Sequence, residues 1–169
     1  TAGAAVNQSN TYHVIPGAVS IVYPVGVTPY TNAEIEEKLQ AGQFILSTRQ
    51  DGAVVVEQDI NTFHSFIATK GYAFSKNRVI RVLDEINNGL SLMFEKSYLG
   101  KVDNNEYGRN LFKADAIQFL AKLQAMNAIQ NFNSATDIVV QAGEAIDSVV
   151  ADIAVQPVDA IEKIYITVQ

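Results

Sequence analysis

The chain has 169 residues, of which 48% are apolar and only 18% are charged, and its net charge is −6 at pH 7. A protein that binds duplex DNA concentrates lysine and arginine on one surface, and twelve basic residues spread among eighteen acidic ones do not supply such a surface. We therefore expect no direct nucleic-acid ligand. Cysteine is absent, which excludes disulfides, thiolate metal sites and a cysteine nucleophile.

The low charge content also bears on the surface of the protein. Ordinary soluble domains carry roughly a quarter charged residues, so the shortage predicts surface that a partner covers; the alternative is simply a neutral domain rich in alanine and valine. No apolar run approaches the about 20 residues of a membrane span, and we expect no membrane insertion.

The first part of the chain reads as an irregular entry segment, a short helix and a hairpin. Residues 1–30 are interrupted by glycine and proline around short β-prone runs such as Val19 to Tyr23. Thr31 and Glu34 form a capping-box pattern that predicts a helix ending at Gly42. The segments 44–48 and 54–58 then predict a hairpin through Asp51-Gly52, because this dipeptide tolerates positive φ.

The middle of the chain is predicted to be helical. Ser75 is the expected N-cap of a long helix that runs to about Leu99 and ends at Gly100. Apolar residues recur along it at steps of three and four, namely Val79, Val82, Leu83, Ile86, Leu90, Phe94 and Tyr98. After a turn at residues 103–108, a second helix is expected over 110–129, packed antiparallel to the first. Its expected buried residues are Phe112, Ala116, Phe119, Leu120, Leu123 and Met126.

The last part of the chain returns to strand patterns. We expect a short strand over 137–141, and residues 149–155 alternate between apolar and more polar side chains as a half-buried strand does. Pro157 interrupts this pattern, and Ile164, Ile166 and Val168 then resume it. The final segment either pairs privately with residues 149–155 or remains an open edge, which single soluble domains usually avoid.

No pattern indicates catalysis, a cofactor or a metal. Dinucleotide, P-loop, zinc-protease and nucleophile-elbow motifs are absent from the sequence. Tyr72 and Lys76 have the spacing of a dehydrogenase pair but lack a glycine-rich nucleotide turn. The calcium-loop pattern that begins at Asp103 has alanine where a glutamate ligand is required. His13 and His64, the two histidines, have no partner at helical ligand spacing.

Longer segments carry a resemblance to a known family. In order, the chain contains AGAAVNQSNTYHV (2–14), TNAEIEEKLQAGQFIL (31–46), VVVEQDINTF (54–63), FSKNRVIRVLDEI (74–86), YLGKVDNNEYGRN (98–110) and VADIAVQPVDAIEKIYITV (150–168). This series resembles the C-terminal part of the tail sheath proteins of contractile-tailed phages, prophages and R-type bacteriocins. The resemblance covers nearly the whole chain. Full sheath proteins have further N-terminal segments, so this chain is expected to be either a trimmed domain or one described part of a longer protein.

The resemblance implies an α+β fold in which an antiparallel helix pair packs on a small mixed β-sheet completed by strands from neighbouring subunits. We expect a single domain over 1–169, with an entry segment (1–30), a helix-hairpin-helix core (31–130), core strands (137–157) and a C-terminal arm (158–169).

The implied function is that of a structural subunit rather than an enzyme. Its implied partners are its own copies in stacked hexameric rings, the inner tail tube and the baseplate, and contraction drives the tube through the cell envelope for genome ejection. The subunit is expected to assemble in the bacterial cytoplasm and to reside in a virion tail or a phage-tail-like particle. Alternatives are another component of a contractile injection machine, such as a type VI-like sheath, tube or baseplate protein, and a small enzyme with a dispersed site.

Two groups of residues are candidates for assembly contacts. The arm presents Ile164, Ile166 and Val168 on one face, and we expect it to pair with a neighbouring subunit through Ile161, Lys163, Ile164, Tyr165, Ile166, Thr167 and Val168. The second group is a basic cluster at the turn between the helices, Lys101, Arg109 and Lys113, which we expect to face the inner tube.

Overall fold

A computed structural model describes residues 6–16, 18 and 29–168. Its helices are α1 (Asn32–Gln40), α2 (Asn77–Ser97) and α3 (Glu106–Ala125), with a short 3-10 helix at Tyr72–Ser75. The strands are β1 (Leu46–Thr48), β2 (Val54–Val56), β3 (Ile129–Gln130), β4 (Ile138–Ala142), β5 (Val149–Ile153) and β6 (Gln156–Pro157). The predicted β-prone run from Val19 to Tyr23 lies outside the described residues.

The expected α+β class is confirmed, but the strands of the described residues do not form one mixed sheet. They form three antiparallel pairs, β1 with β2, β3 with β6 and β4 with β5. The chain also divides into two compact units. Apolar periodicity identifies each element but does not say which core the element joins.

The helix-rich unit comprises Arg81–Val158 together with the start of the chain through Asn7. Its helices run antiparallel, as expected, because Tyr98 and Phe94 near the end of α2 contact Phe112 near the start of α3, whereas Gly89 lies next to Phe119 further along α3. α3 packs against β3 and β4. The buried core joins both helices to these strands through Val6, Val82, Ile86, Ala116, Leu120, Leu123, Ala128, Ile129 and Ile138.

The loop-rich unit comprises Gln8–Ile80 and Asp159–Gln169. The predicted capping box of α1 is present: the Thr31 hydroxyl accepts from the Glu34 amide, and the Glu34 carboxylate accepts from the Thr31 amide. The predicted hairpin is also present, and Gly52 adopts φ +83° in its turn. The β2 valines are buried, since β1 pairs with one edge of β2 and residues 12–15 hydrogen-bond along β2 as well.

Three predicted helix details are wrong. Ser75 does not cap α2, because it belongs to the 3-10 helix and its hydroxyl donates to the Tyr72 carbonyl. α3 begins at Glu106 and not at residue 110, because the side chain of Asn105 caps it by accepting from the Gly108 amide at 2.8 Å. Met126 is 37% exposed and not in the core, because α3 ends before it and Met126 is the C-cap.

Candidate assembly surfaces

The C-terminal arm is the most exposed apolar segment of the described chain. Residues 158–168 form no strand, and the exposed fractions of its apolar side chains are 96% for Ile161, 79% for Ile164, 74% for Ile166 and 89% for Val168. The private pairing with residues 149–155 is not present, because residues 158–168 form no strand and β5 is paired with β4, from Ile138 opposite Ile153 to Ala142 opposite Val149.

One residue of the arm is held in place. The Glu162 side chain is 8% exposed and forms an ion pair with Lys76, whose side chain is 4% exposed. The other carboxylate oxygen of Glu162 accepts from the Thr11 hydroxyl at 2.6 Å. Burial alone would lower the pKa of the Lys76 ammonium, but hydrogen bonds to Glu162 and Tyr72 outweigh burial and hold the pKa above its ordinary value. The Lys76 ammonium also lies 5.2 Å from the centre of the Tyr72 ring.

The pairing of Lys76 with Glu162 was not predicted. Tyr72 and Lys76 are in contact, as their spacing of four residues allows. The group beside Lys76 is the Glu162 carboxylate and not a nucleotide. No local pattern joins positions 86 residues apart; the signal available in the sequence was an isolated acid in an otherwise apolar strand pattern.

The predicted basic cluster is partly occupied by contacts within the helix-rich unit. The Lys101 ammonium donates to the Lys96 carbonyl. The Arg109 guanidinium donates to the backbone carbonyl of Asn104 at 3.2 Å and to its side-chain oxygen at 3.0 Å. Lys113 lies one helical turn after Arg109 and is half-buried. Arg109 therefore supports the turn before α3 in addition to any external contact.

The same turn braces the β4–β5 connection. The Asn104 side-chain amide donates to the carbonyls of Ile146 and Ser148, both at 2.9 Å. The Ser148 hydroxyl closes the connection by donating to the Ala145 carbonyl at 2.8 Å. Ile146 is thereby held at the tip with 96% of its surface exposed.

A groove of about 610 Å³ lies in the loop-rich unit, between α1, the segment 57–66, Tyr72 and the arm residues Lys163 and Tyr165. Its acidic residues and its histidine, Glu36, Glu57 and His64, share no hydrogen bond or ion pair with one another within the described residues. In the same part of the chain, no group of three or more His, Cys, Asp or Glu side chains is arranged to hold a metal. None of the described helices is both long and apolar enough to span a bilayer.

Comparison with known proteins identifies the family. Residues 69–169 match the model of the phage tail sheath C-terminal domain, and residues 1–62 match that of the phage tail sheath central domain. The phage-like element PBSX protein XkdK of Bacillus subtilis is 36% identical over 176 residues, which cover 100% of this chain and 37% of that protein. The chain thus spans little more than a third of that relative.

Solved structures agree with the sequence matches. A sheath tail protein from Desulfitobacterium hafniense is 46% identical, with a TM-score of 0.79 over 95% of this chain and 36% of that one. The helical sheath of the anti-feeding prophage in its contracted state shares the fold, with a TM-score of 0.72 at 15% identity over 97% of this chain and 45% of that one. The chain belongs to the phage tail sheath family, which is a family of structural proteins and not of enzymes.

Proposed function

We propose that this chain is part of a contractile tail sheath subunit, which polymerises with its own copies around an inner tube and contracts to drive the tube through a cell envelope. The observation that carries the proposal is the C-terminal arm, in which an alternating apolar face is exposed next to a single buried anchor. Family membership supplies the context, since sheath proteins are structural.

The arm has the chemistry of a donated strand. Adding a strand to a sheet edge gives affinity through main-chain hydrogen bonds, and alternate side chains give specificity. Ile164, Ile166 and Val168 would each contribute about 1.5–3 kcal/mol if fully buried. Lys163, Tyr165 and Thr167 on the opposite face can remain partly solvated. Strand pairing therefore requires burial of only the face that carries Ile164, Ile166 and Val168.

Strand acceptors of the right kind exist in the same chain. β4 and β5 form a pair without a third strand among the described residues, and isolated two-stranded sheets gain stability from further strands. On their outer surfaces Val139 is 47% exposed and Val150 41% exposed. A copy that both donates an arm and offers a sheet edge forms a heterologous contact, which propagates into rings or helical filaments.

Contraction requires bodies that move while their connections persist. In this proposal the segment 158–160 connects the short β3–β6 sheet to the arm, and the part of the arm beyond Glu162 is the link to the neighbouring subunit. The connecting segment begins stiffly, because the φ of Pro157 is fixed and Pro157 pairs with Ile129. Neighbouring subunits then stay linked as they rotate and slide.

The tube-facing surface is a second element of the proposal. Lys101, Arg109 and Lys113 supply positive charge at the turn between α2 and α3. Exposed charge pairs contribute only about 0–1 kcal/mol each, so they suit contacts that are repeated around a ring and released on contraction.

Besides its own copies, the proposed partners of the subunit are the inner tube and a baseplate. Assembly in the bacterial cytoplasm and residence in a virion tail or phage-tail-like particle also follow from this role.

The test of the arm is a deletion of Ile164–Gln169 in the full chain. This deletion keeps Glu162, which a deletion from Ile161 would remove together with the partner of the buried Lys76 ammonium. We expect a folded protein that no longer forms tubes or oligomers in negative-stain microscopy and sedimentation velocity. A truncated protein that unfolds, or one that assembles as the intact chain does, would contradict strand donation.

The test of the basic cluster replaces Lys101 and Lys113 with glutamate and leaves Arg109 intact, because Arg109 also holds Asn104. Sheath–tube co-purification should fall while the thermal stability of the subunit is unchanged. Co-purification at the wild-type level would exclude these lysines from the tube contact.

A further inference from the structure

The root of the arm contains a buried ion pair in a protein with few charges. Charges are costly to bury unless they are paired and hydrogen-bonded. Lys76, immediately before α2, meets this condition through Glu162, and both carboxylate oxygens of Glu162 have partners in Lys76 and Thr11. Lys76 and Glu162 are therefore committed to each other and are not a solvated surface pair.

The pair belongs to a larger polar network in the loop-rich unit. The Thr11 hydroxyl oxygen accepts from the Asp59 amide at 2.9 Å. The Asp59 carboxylate, which belongs to a residue only 4% exposed, accepts from the Asn77 side chain at 2.9 Å and from the Asn10 amide at 3.0 Å. The network thus joins residues 10–11, 59, 76–77 and 162, and the arm enters it through one side chain.

The rest of the arm has no comparable hold. Residues 161–168 form no backbone hydrogen bond to the described part of the chain. Ile161, directly before the anchor, is 96% exposed, and Ile164, two residues after it, is 79% exposed. The Glu162 side chain is therefore buried between exposed neighbours, Ile161 before it and Lys163 after it. Glu162 is a fixed point at the start of an otherwise exposed segment.

We infer that Glu162 is the positioning residue of the C-terminal arm: its buried contacts with Lys76 and Thr11 fix the point at which the arm leaves the subunit. The inference rests on the proposed function, in which residues 163–168 pair with another copy of this chain. Six extended residues reach about 20 Å from a fixed point. A fixed origin raises the effective concentration of the strand at an acceptor within this reach and reduces the ordering cost of pairing.

An ion pair suits this task better than an apolar contact would. Its geometry is directional, since two oxygens of one carboxylate must meet two donors on different segments. The raised pKa of Lys76 keeps the ammonium charged at neutral pH. The contribution of that shift to stability is present below the unfolded pKa of lysine and is lost only as the pH rises through the folded value, so the anchor holds throughout the neutral range.

The experiment compares Glu162→Gln and Thr11→Val with the control Glu37→Gln, all in the full chain. Glu162→Gln keeps the shape of the side chain but removes its charge, and Thr11→Val replaces the hydroxyl with a methyl group. Glu37→Gln makes the same change of charge at an exposed position of α1, outside the arm. Backbone ¹⁵N heteronuclear NOEs measure the mobility of residues 159–168, and sedimentation velocity measures self-association. Chemical shifts of α3 report whether the helix-rich unit remains folded.

In the wild type and in Glu37→Gln, the NOE should be high at Glu162 and fall toward Val168, and self-association should be the same in both. In Glu162→Gln it should be low from Asp159 onward, and self-association should weaken roughly tenfold because the strand loses its fixed origin. Thr11→Val should give an intermediate mobility, since the ion pair with Lys76 remains. Together these results would support the inference.

Two results would overturn it, and both are distinct from failure of strand donation. A high NOE at position 162 in Glu162→Gln would show that the carboxylate does not anchor the arm. A mobile root with undiminished self-association, in a chain whose Ile164–Gln169 deletion does abolish association, would show that the arm functions without its anchor. If that deletion left association intact, the proposed function would fail, and the NOE comparison would still decide whether Glu162 anchors the arm.

Discussion

Strand β5 and the C-terminal arm both have sequences that can form strands but differ in structure. Apolar residues occupy every second position in both, at Val149, Ala151 and Ile153 in β5 and at Ile164, Ile166 and Val168 in the arm. β5 pairs with β4 along its whole length, whereas the arm forms no strand in the described chain. A strand pattern therefore specifies a segment that is able to pair, and only the tertiary structure decides whether it pairs within its own subunit.

The largest expected difference between the two regions is in stability. Ile138 of β4 is fully buried, so Ile138→Ala should lower the free energy of unfolding by about 2–5 kcal/mol. Ile164→Ala in the arm should change it by less than about 0.5 kcal/mol, because the side chain is already exposed. Urea denaturation of both variants measures the difference. A comparable loss from Ile164→Ala would mean that the arm is packed within the subunit.

The packing of α2 against α3 can be weakened at Tyr98, whose ring contacts Phe94 and Phe112. Its hydroxyl donates to the Asp115 carboxylate, and a hydrogen bond to a charged group contributes about 1.5–3 kcal/mol. Tyr98→Phe should lose stability of this order at neutral pH. Tyr107→Phe is the matched control, because Tyr107 is 76% exposed.

Tyr98 also predicts a pH dependence. Burial, and then the Asp115 carboxylate, raise the pKa of Tyr98 to about 12 from its ordinary value of 10.0. The folded state therefore retains a proton that the unfolded state releases, so this contribution is present below pH 10 and is lost as the pH rises through about 12. Wild-type stability should fall more steeply than that of Tyr98→Phe over this window. Equal slopes in alkaline denaturation would contradict the prediction.

A smaller effect is expected at Gly108 in the first turn of α3. A Cβ atom at this position would lie 2.1 Å from the backbone oxygen of Asp103, so Gly108→Ala must displace the turn. Overpacking costs about 1–3 kcal/mol, and the better helix propensity of alanine, about 1 kcal/mol, offsets part of it. We expect a net loss of up to about 2 kcal/mol in thermal denaturation. Gly71→Ala should be neutral, since nothing lies within 4 Å of its added Cβ.

The smallest expected effect concerns the connection between β4 and β5. Asn104→Ala removes two hydrogen bonds to the Ile146 and Ser148 carbonyls. Water can replace part of this bonding at so exposed a site, so we expect a loss of about 1 kcal/mol. Amide exchange should accelerate in β5 near Val149. The control is Asn110→Ala, at an exposed position of α3. Equal amide exchange in the two variants would show that Asn104 does not support the β4–β5 connection.

Local chemistry was sufficient to predict the parts of the fold that depend on near neighbours. The capping box of Thr31 and Glu34 and the turn at Asp51-Gly52 are confirmed because each involves residues within three positions. The long apolar stripe predicted α2 for the same reason. Ser75 was misjudged because its hydroxyl had two possible backbone partners, and the 3-10 helix before α2 made the Tyr72 carbonyl the nearer one.

By itself, the sequence determined which segments form helices and which can pair as strands, because propensity, capping and periodicity act over a few residues. It also specified the sheath family, through similarity along the whole chain. Only the tertiary structure decided that β3 pairs with β6, that Asn104 holds the β4–β5 connection, and that Glu162 is buried against Lys76. These outcomes depend on which groups folding brings together from distant positions in the chain. A buried charge requires a specific partner, and the spacing of residues in the sequence does not indicate which partner that is.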